Sequence, residues 1–195
     1  MDSDFSRITA FIIEVDRLKG VLRKTKPAAI NRPENSAEHS WQVALLAMVV
    51  ANQACEPVDI QRVVEILLVH DIPEIEIGDV LVYAAPDPER ALAEERAARA
   101  IFGMLPEPQA SMCFERWAEY ERRDTAEAWF AYAIDRLMPL LHNLDSGGTG
   151  WSEHRIPLER VLQLNAPIGD ALPAVWEQVR SRILEHAETG GFDHA

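Results

Sequence analysis

Two histidines and two aspartates are the residues of this sequence whose types and positions could bind a metal ion. His39 lies in the first turn of a predicted apolar helix, and His70 and Asp71 end the next one. Asp135 lies on a later apolar helix, where a carboxylate is costly to bury unless it is paired or bound to metal. Singly, each histidine could be a hydrogen-bonded core residue, and Asp135 could pair with Arg136. Together the four form a mixed nitrogen and oxygen set that suits Mn²⁺, Fe²⁺, Co²⁺, Ni²⁺ or Zn²⁺.

Two further carboxylates follow the His-Asp pair closely. Glu74 comes three residues after Asp71, and Asp79 follows Gly78. Near a bound ion, such groups could orient or deprotonate a metal-bound water or protonate a leaving oxygen. The same residues could instead form a solvated acidic loop, and their spacing alone leaves both interpretations open.

The elements that must position these side chains are predicted to be helices. Asn35 and Glu38 have the spacing of a capping box, so a helix should begin near residue 37. That helix is apolar nearly all round, which predicts a central, buried position that includes Trp41. Asp59 should cap the next helix, and Pro73 should end or kink it just beyond the His-Asp pair.

The rest of the chain also follows a helical pattern, and no segment shows the two-residue alternation of a half-buried strand. The fold class is therefore predicted to be all-α, with six or seven main helices. Further helices are expected at residues 5–22, 88–102, 106–123, 125–143, 157–165 and 167–189. We expect a single domain over residues 1–195, with a metal-binding core at about 35–143 and the helices of 157–189 packed on it.

The charge balance excludes one class of function. The 195 residues include 19 Lys and Arg against 32 Asp and Glu, a net charge of −13. Phosphate-backbone binding needs a large cationic surface, so no nucleic-acid partner is expected. A small anionic substrate needs only a local basic pocket. The connector at residues 21–34, which carries Arg23 and Arg32, is the one sizeable cationic segment.

Membrane and secreted classes are also disfavoured. The longest charge-free stretch, residues 40–55, is shorter than the roughly 20 apolar residues of a membrane span. Charged residues interrupt the first twenty positions, so no signal peptide is expected. The two cysteines, Cys55 and Cys113, are far apart and form no CxxC motif. These features predict a cytoplasmic protein.

Two stretches, RPENSAEHSW at residues 32–41 and LVHDIPEIEIGD at 68–79, carry a resemblance to a known family. With the downstream helical Asp135, they resemble the HD-domain metal-dependent phosphohydrolases, and most closely their 5′-deoxynucleotidase-like branch. The resemblance covers roughly residues 5–143. It implies an all-α HD-domain helical bundle, usually a homodimer. It also implies one divalent ion (Mn, Co, Fe, Ni, Zn or Mg) held by His39, His70, Asp71 and Asp135.

The resemblance also implies roles for residues around the ion. Glu74 and Asp79 match the family's catalytic acidic pair, and Arg23 matches a phosphate-contacting residue. Arg32, in the same connector, is the second substrate-binding candidate. The connector at residues 24–31 is longer than in the best-known members of the family. Members with two metals have extra histidines between the HD pair and the final Asp. This sequence has none there, which favours a single ion.

The leading functional hypothesis is a phosphomonoesterase that releases phosphate from (deoxy)nucleoside 5′-monophosphates. A second hypothesis keeps the metal and changes the substrate to another phosphate ester or nucleotide, which the long basic connector would permit. A third is a non-catalytic helical dimer scaffold with a structural metal. A closed shell of four protein ligands would support the scaffold, and an open coordination position would oppose it.

Overall fold

A computed structural model of the protein describes residues 3–84 and 87–192. Over these residues the chain is helical, with no β-strand and one isolated antiparallel bridge between Leu22 and Asn35. The all-α prediction is confirmed, and seven of the described helices have ten or more residues. The helices are α1 Asp4–Val15, α2 Ser36–Val50, α3 Ile60–Val69, α4 Glu74–Ile77, α5 Pro88–Phe102, α6 Gln109–Arg122, α7 Ala126–Asp145, α8 Thr149–Glu153, α9 Leu158–Asn165, α10 Ile168–Ala171 and α11 Pro173–Glu188.

Two predicted helices have different bounds in the structure. The helix expected at 5–22 ends at Val15 and continues as a 3₁₀ turn, Asp16–Gly20. The helix expected at 167–189 is divided into α10 and α11 at Leu172, whose φ of −136° and ψ of 61° are not helical. Leu172 precedes Pro173, and a residue before proline is sterically pushed out of the α region. Pro173 then begins α11, where its missing N–H costs nothing.

Helix α2 begins as predicted and buries only part of its surface. Asn35 Oδ1 accepts a hydrogen bond from the Glu38 N–H, and the Glu38 carboxylate accepts one from the Asn35 N–H. One side of α2 packs into the main core through Val43, Ala44 and Ala47. The opposite side is exposed and consists of Trp41, Leu45, Met48 and Val49. The prediction that this helix is buried, Trp41 included, was therefore wrong for these four exposed residues.

The turn after α3 places His70 and Asp71. His70 is the residue that caps the C-terminal end of α3, and its N–H donates to the Ile66 carbonyl. Helix α4 starts directly after Pro73 and ends at Gly78, whose φ of +72° is a left-handed conformation that glycine adopts without strain. The His-Asp pair therefore lies at a helix end, where the helix dipole favours a cation.

Helix α7 is the longest helix and forms the centre of the main core. Its side chains Phe130, Ile134 and Leu137 are at most 1% exposed and pack with residues of α2 and α3. Ile168 of α10, Leu172 between the two helices and Ile183 of α11 also belong to this core. A second core joins α1, α5 and α6.

In the part of the chain that the structure describes, no helix is long and apolar enough to cross a membrane. Cys55 and Cys113 are both free thiols.

Candidate metal centre

Three side chains from different helices converge at one point. His39 comes from α2, His70 from the end of α3 and Asp135 from the middle of α7. One ligand atom of each lies within 4.8 Å of the others, so the three could hold a metal ion. His39 Nε2 is 2.8 Å and His70 Nε2 is 3.7 Å from Asp135 Oδ1.

Asp71 lies at the edge of this group. Its Oδ1 is 3.1 Å from His70 Nε2, and its Oδ2 accepts a 2.7 Å hydrogen bond from Arg23 Nη1. Asp71 does not belong to the set of three residues whose ligand atoms all lie within 4.8 Å of one another. One carboxylate oxygen thus faces the cluster while the other is held by a guanidinium.

The hydrogen bonding of His70 tests whether these residues fit a cation. His70 Nδ1 donates to the Leu67 carbonyl at 2.8 Å, which leaves Nε2 pointing at carboxylate oxygens of Asp71 and Asp135. Nε2 is buried and has no hydrogen-bond partner among the described residues. Carboxylate oxygens only accept, so a neutral imidazole there needs a cation between its lone pair and the oxygens. The donor set therefore fits a divalent ion.

Glu34 supports His39 from the side away from the cluster. Both side chains are fully buried, and His39 Nδ1 is 3.3 Å from Glu34 Oε2. Arg23 Nε, at 3.5 Å, and the Thr25 hydroxyl, at 3.2 Å, face the same carboxylate oxygen. Carboxylates in this position fix the orientation of metal-binding histidines and raise their basicity. The sequence reasoning assigned no role to Glu34. The only feature of the sequence that could have indicated this role is that Glu34 lies five residues before His39.

Tyr120 on α6 holds the third ligand. Its hydroxyl donates to Asp135 Oδ2 at 2.8 Å, and its ring centre is 5.0 Å from that of His70. Burial and the charge of Asp135 raise the pKa of Tyr120 well above its usual value, so it stays a donor. This contact fixes the rotation of the Asp135 carboxylate and leaves Oδ1 toward the two histidines. An aromatic residue at a helical position gave no sequence signal of this role.

Arg23 is the cation of the site. In addition to Asp71, its guanidinium lies 3.9 Å from Asp79 Oδ1 and 4.0 Å from Asp135 Oδ1. Burial lowers the pKa of Arg23, but the surrounding carboxylates raise it above its ordinary value. The structure thus brings this sequence-predicted residue to the cluster.

Glu74 and Asp79 both line the cavity beside the cluster. Glu74 Oε2 accepts a 2.6 Å hydrogen bond from the Ser36 hydroxyl, and Asp79 Oδ2 accepts one from the Lys24 N–H at 3.0 Å. Burial and the charge of Asp71 raise the pKa of Glu74 to about 8. Burial also raises the pKa of Asp79. Glu74 can therefore carry a proton near neutral pH.

Arg32 lies elsewhere. Its guanidinium forms two hydrogen bonds with the Glu38 carboxylate, at 2.5 Å and 2.8 Å, and its side chain is 48% exposed. Arg32 does not line the cavity that contains Asp71 and Asp135. The charge of Arg32 is already neutralised by a residue of the α2 capping box, so the structure does not bring this predicted residue to the site.

The cavity next to the cluster has a volume of about 280 Å³. Its wall includes Asp71, Glu74, Asp79 and Asp135 together with Arg23. Aromatic and cationic side chains form another part of the wall, among them Tyr83, Tyr132, Trp151, Arg123 and Arg136. A charged cluster that opens onto a partly aromatic cavity is suited to a small phosphorylated organic molecule.

Comparison with known proteins decides the family. A sequence model described as "HD domain" matches residues 15–176, which is most of the chain and includes His39, His70, Asp71 and Asp135. The chain belongs to the HD domain family. The resemblance predicted from two short stretches is thereby confirmed, and the match extends beyond residue 143 into the C-terminal helices of this HD-domain protein.

The curated relatives include the 5′-deoxynucleotidase HDDC2 of Homo sapiens, which is 31% identical over 138 residues, and that of Bos taurus, which is 30% identical. The human match covers 70% of this chain and 64% of the relative, so the chain spans somewhat less than two thirds of the relative's length. Among solved structures, a predicted metal-dependent phosphohydrolase from Magnetospirillum magnetotacticum is 38% identical with a TM-score of 0.91. That match covers 97% of this chain and 98% of the other. A protein from Pyrococcus horikoshii, 21% identical with a TM-score of 0.66 over 89% of this chain and 99% of its own, shares the fold.

Proposed function

We propose that this HD-domain protein is a metal-dependent phosphohydrolase that releases phosphate from (deoxy)nucleoside 5′-monophosphates. The observation that carries the proposal is the convergence of two buried histidines on Asp135, which lines a cavity whose wall also contains Arg23, Glu74 and Asp79. The similarity to 5′-deoxynucleotidases and to a predicted metal-dependent phosphohydrolase supports the same reaction class.

One divalent ion would be held by His39, His70, Asp71 and Asp135. When bound, such an ion supplies a Lewis acid for a phosphoryl oxygen and lowers the pKa of water. The candidates are Mn, Co, Fe, Ni, Zn and Mg, because the set combines imidazole with carboxylate ligands. The unpartnered Nε2 of His70 supports this assignment.

Arg23 would receive the phosphate. A nucleotide phosphate enters a protein with a net charge of −13, so its charge must be offset locally. Arg23 lies between Asp71 and Asp79 on the cavity wall, and a guanidinium can donate two parallel hydrogen bonds to a phosphate. It would thus orient the phosphorus atom beside the ligand cluster.

Glu74 would supply the proton for the leaving group. In the reaction, water adds to phosphorus, the bond from phosphorus to the 5′ oxygen breaks, and that oxygen leaves with a proton. A carboxyl group with a pKa of about 8 is protonated near pH 7 and can donate it. Asp79, fixed by the Lys24 N–H, would accept a proton from the attacking water.

A phosphate-release screen tests the proposal. Metal-free protein is supplied with Mn²⁺, Co²⁺ or Mg²⁺ and assayed on a panel of nucleoside monophosphates and other phosphate esters. Wild type should hydrolyse at least one 5′-monophosphate, and Glu74→Gln should lower kcat by about 10²- to 10⁴-fold while it retains the metal. Glu76→Gln, which changes an exposed carboxylate of the same helix, is the matched control. Wild-type protein that binds metal but hydrolyses no ester would support the structural-metal scaffold instead.

We also propose that two copies associate through the exposed stripe of α2. Trp41, Met48 and Val49 are 63%, 59% and 70% exposed on one helix face, which is a large apolar surface to leave in water. The family resemblance implies a homodimer. Light scattering should show a dimer for wild type and a monomer for Met48→Glu. A monomeric wild-type protein would contradict the proposal.

A further inference from the structure

Two arginines on the cavity wall form no ion pair with any described residue. Arg123 follows α6, and Arg136 lies on α7 directly after Asp135. Both line the cavity, and their guanidinium carbons lie 4.9 Å and 4.8 Å from the centre of the Tyr132 ring. We call these two residues the arginine pair. The Tyr132 ring is the common contact of the pair.

Two nearby carboxylates are engaged with other arginines. Asp124, next to Arg123, pairs with Arg122 at 3.0 Å, and Glu94 of the cavity wall pairs with Arg90 at 3.0 Å. Among the described residues, no carboxylate oxygen forms an ion pair with Arg123 or Arg136. Glu121 is close enough to Arg123 for their charges to interact without forming an ion pair. The arginine pair therefore keeps most of its positive charge available.

Two further observations set these residues apart from ordinary surface arginines. Arg136 Nη1 is buried and has no hydrogen-bond partner in the described part of the chain. A buried donor without a partner is costly, and an anionic ligand would satisfy it. Arg123 has a φ of +53°, a left-handed conformation that costs a residue with a Cβ about 1 kcal/mol or more. An arginine that lines the cavity thus occupies a position at which a glycine would be unstrained.

A chain of contacts through two aromatic rings connects the arginine pair to the metal ligand Asp135. Tyr120 contacts Asp135 with its hydroxyl, the Tyr132 ring centre is 6.4 Å from that of Tyr120, and the arginines lie against Tyr132. Arg23, in contrast, lies among the carboxylates of the cluster. The cavity wall thus carries arginines at two places, Arg23 beside the cluster and the arginine pair against the Tyr132 ring.

A nucleoside 5′-monophosphate has one phosphate, which Arg23 would receive, and it brings no second negative charge to the arginine pair. We infer that the cavity takes a substrate with a second phosphate beyond the sugar, a nucleoside 3′,5′-bisphosphate, and that the arginine pair binds the 3′-phosphate. This inference rests on the proposed function and specifies its substrate class. Water would add to the 5′ phosphorus, the bond to the 5′ oxygen would break with proton transfer to that oxygen, and the 3′-phosphate would remain intact.

The test compares kcat/KM for a 2′-deoxynucleoside 5′-monophosphate, the matching 3′,5′-bisphosphate and the 5′-diphosphate. Wild type should prefer the bisphosphate by about tenfold or more, because each charge-assisted contact adds at least that much affinity. Arg136→Gln and Arg123→Gln should each reduce the ratio of bisphosphate to monophosphate toward one, mainly through KM. Arg122→Gln, which changes the exposed neighbour paired with Asp124, should leave the ratio unchanged.

A binding measurement separates this inference from the proposed function. Calorimetric titration of EDTA-treated protein with a nucleoside 3′-monophosphate should show binding that weakens about tenfold or more in Arg136→Gln. If no ester is hydrolysed but this binding depends on the arginine pair, the proposed function fails and the anion site stands. Equal ratios in wild type and both variants would overturn the inference even with an active enzyme. A preference for the 5′-diphosphate would also overturn it, since that phosphate lies next to the scissile one.

Discussion

Metal uptake by the metal-free protein should strengthen steeply as the pH rises. Burial lowers the pKa of His70, but the charges of Asp71 and Asp135 raise it to about 9. Burial and Arg23 lower the pKa of His39, yet its contacts with Asp135 and Glu34 raise it above the ordinary value. His70 therefore holds a proton near pH 7, and the raised pKa of His39 favours its protonated form. An imidazole must be neutral to bind metal, so each proton competes with the ion.

The size of the effect follows from the pKa of His70. Below a pKa of about 9, each pH unit makes loss of its proton easier by about 1.4 kcal/mol. Between about pH 6.5 and about pH 8.0, release of one proton raises metal affinity roughly 30-fold, or by about 2 kcal/mol. Release of a proton from His39 would add to this increase, because the pKa of His39 is also raised.

The same shift predicts how stability depends on pH without metal. The pKa of His70 in the folded protein is above its unfolded value of 6.5, so protonation stabilises the fold. This contribution, about 3 kcal/mol, is fully present below about pH 6.5 and is lost as the pH rises to about 9. The free energy of unfolding of the metal-free protein should therefore fall over that window.

Calorimetric titration of Co²⁺ into EDTA-treated protein measures both the metal affinity and the number of protons released on binding. Two buffers with different ionisation enthalpies give the number of protons released, and a pair of pH values gives the slope of affinity. His70→Gln should release fewer protons, whereas His154→Gln, at an exposed histidine, should behave as wild type. Metal affinity that does not change with pH, or binding without proton release, would refute the reasoning.

Three substitutions test how the site and its core are supported. Glu34→Gln should weaken metal binding by about 10- to 100-fold because it loosens His39, and unchanged affinity would show that Glu34 is only structural. Tyr120→Phe removes a hydroxyl donor, so urea denaturation should show a loss of about 1–2 kcal/mol, and a stabilised variant would contradict the hydrogen bond. Leu67→Ala should cost about 2–5 kcal/mol in the same assay, whereas Leu68→Ala, at a 48% exposed side chain, should cost far less; equal losses would contradict the burial of Leu67.

The metal cluster was predictable because its residues conflict with their surroundings. Histidine and aspartate on apolar helices are costly unless they share a cation, and this conflict is visible in the sequence. The structure places His39, His70 and Asp135 together, and Asp71 stands beside them. The assignment of all four as ligands remains a prediction.

The supporting residues could not be predicted because their roles depend on distant partners. In the sequence, Glu34 is only a residue beside a helix cap. The structure alone shows that His39 Nδ1 faces its carboxylate. In the sequence, Tyr120 has the pattern of a core aromatic residue. Its hydrogen bond to Asp135 forms only because α6 packs against α7. Neither contact has a local spacing rule that a single sequence could reveal.

The basic residues show the same limit. A count of charges in the connector cannot tell that Glu38 neutralises Arg32 while Arg23 faces the cluster. Likewise, the free charge of Arg123 and Arg136 appears only when the partners of their acidic neighbours are known. A continuous apolar pattern such as that of α2 also cannot separate a buried face from an exposed one.

Stepwise addition of Co²⁺ to EDTA-treated protein, with phosphate release from a deoxynucleoside 5′-monophosphate as the readout, tests the central claim most directly. We predict that hydrolysis rises in proportion to added ion, levels off at one ion per chain and is absent in Asp135→Ala. Hydrolysis that needs no ion, or full activity in Asp135→Ala, would contradict the claim that His39, His70, Asp71 and Asp135 hold a single catalytic cation.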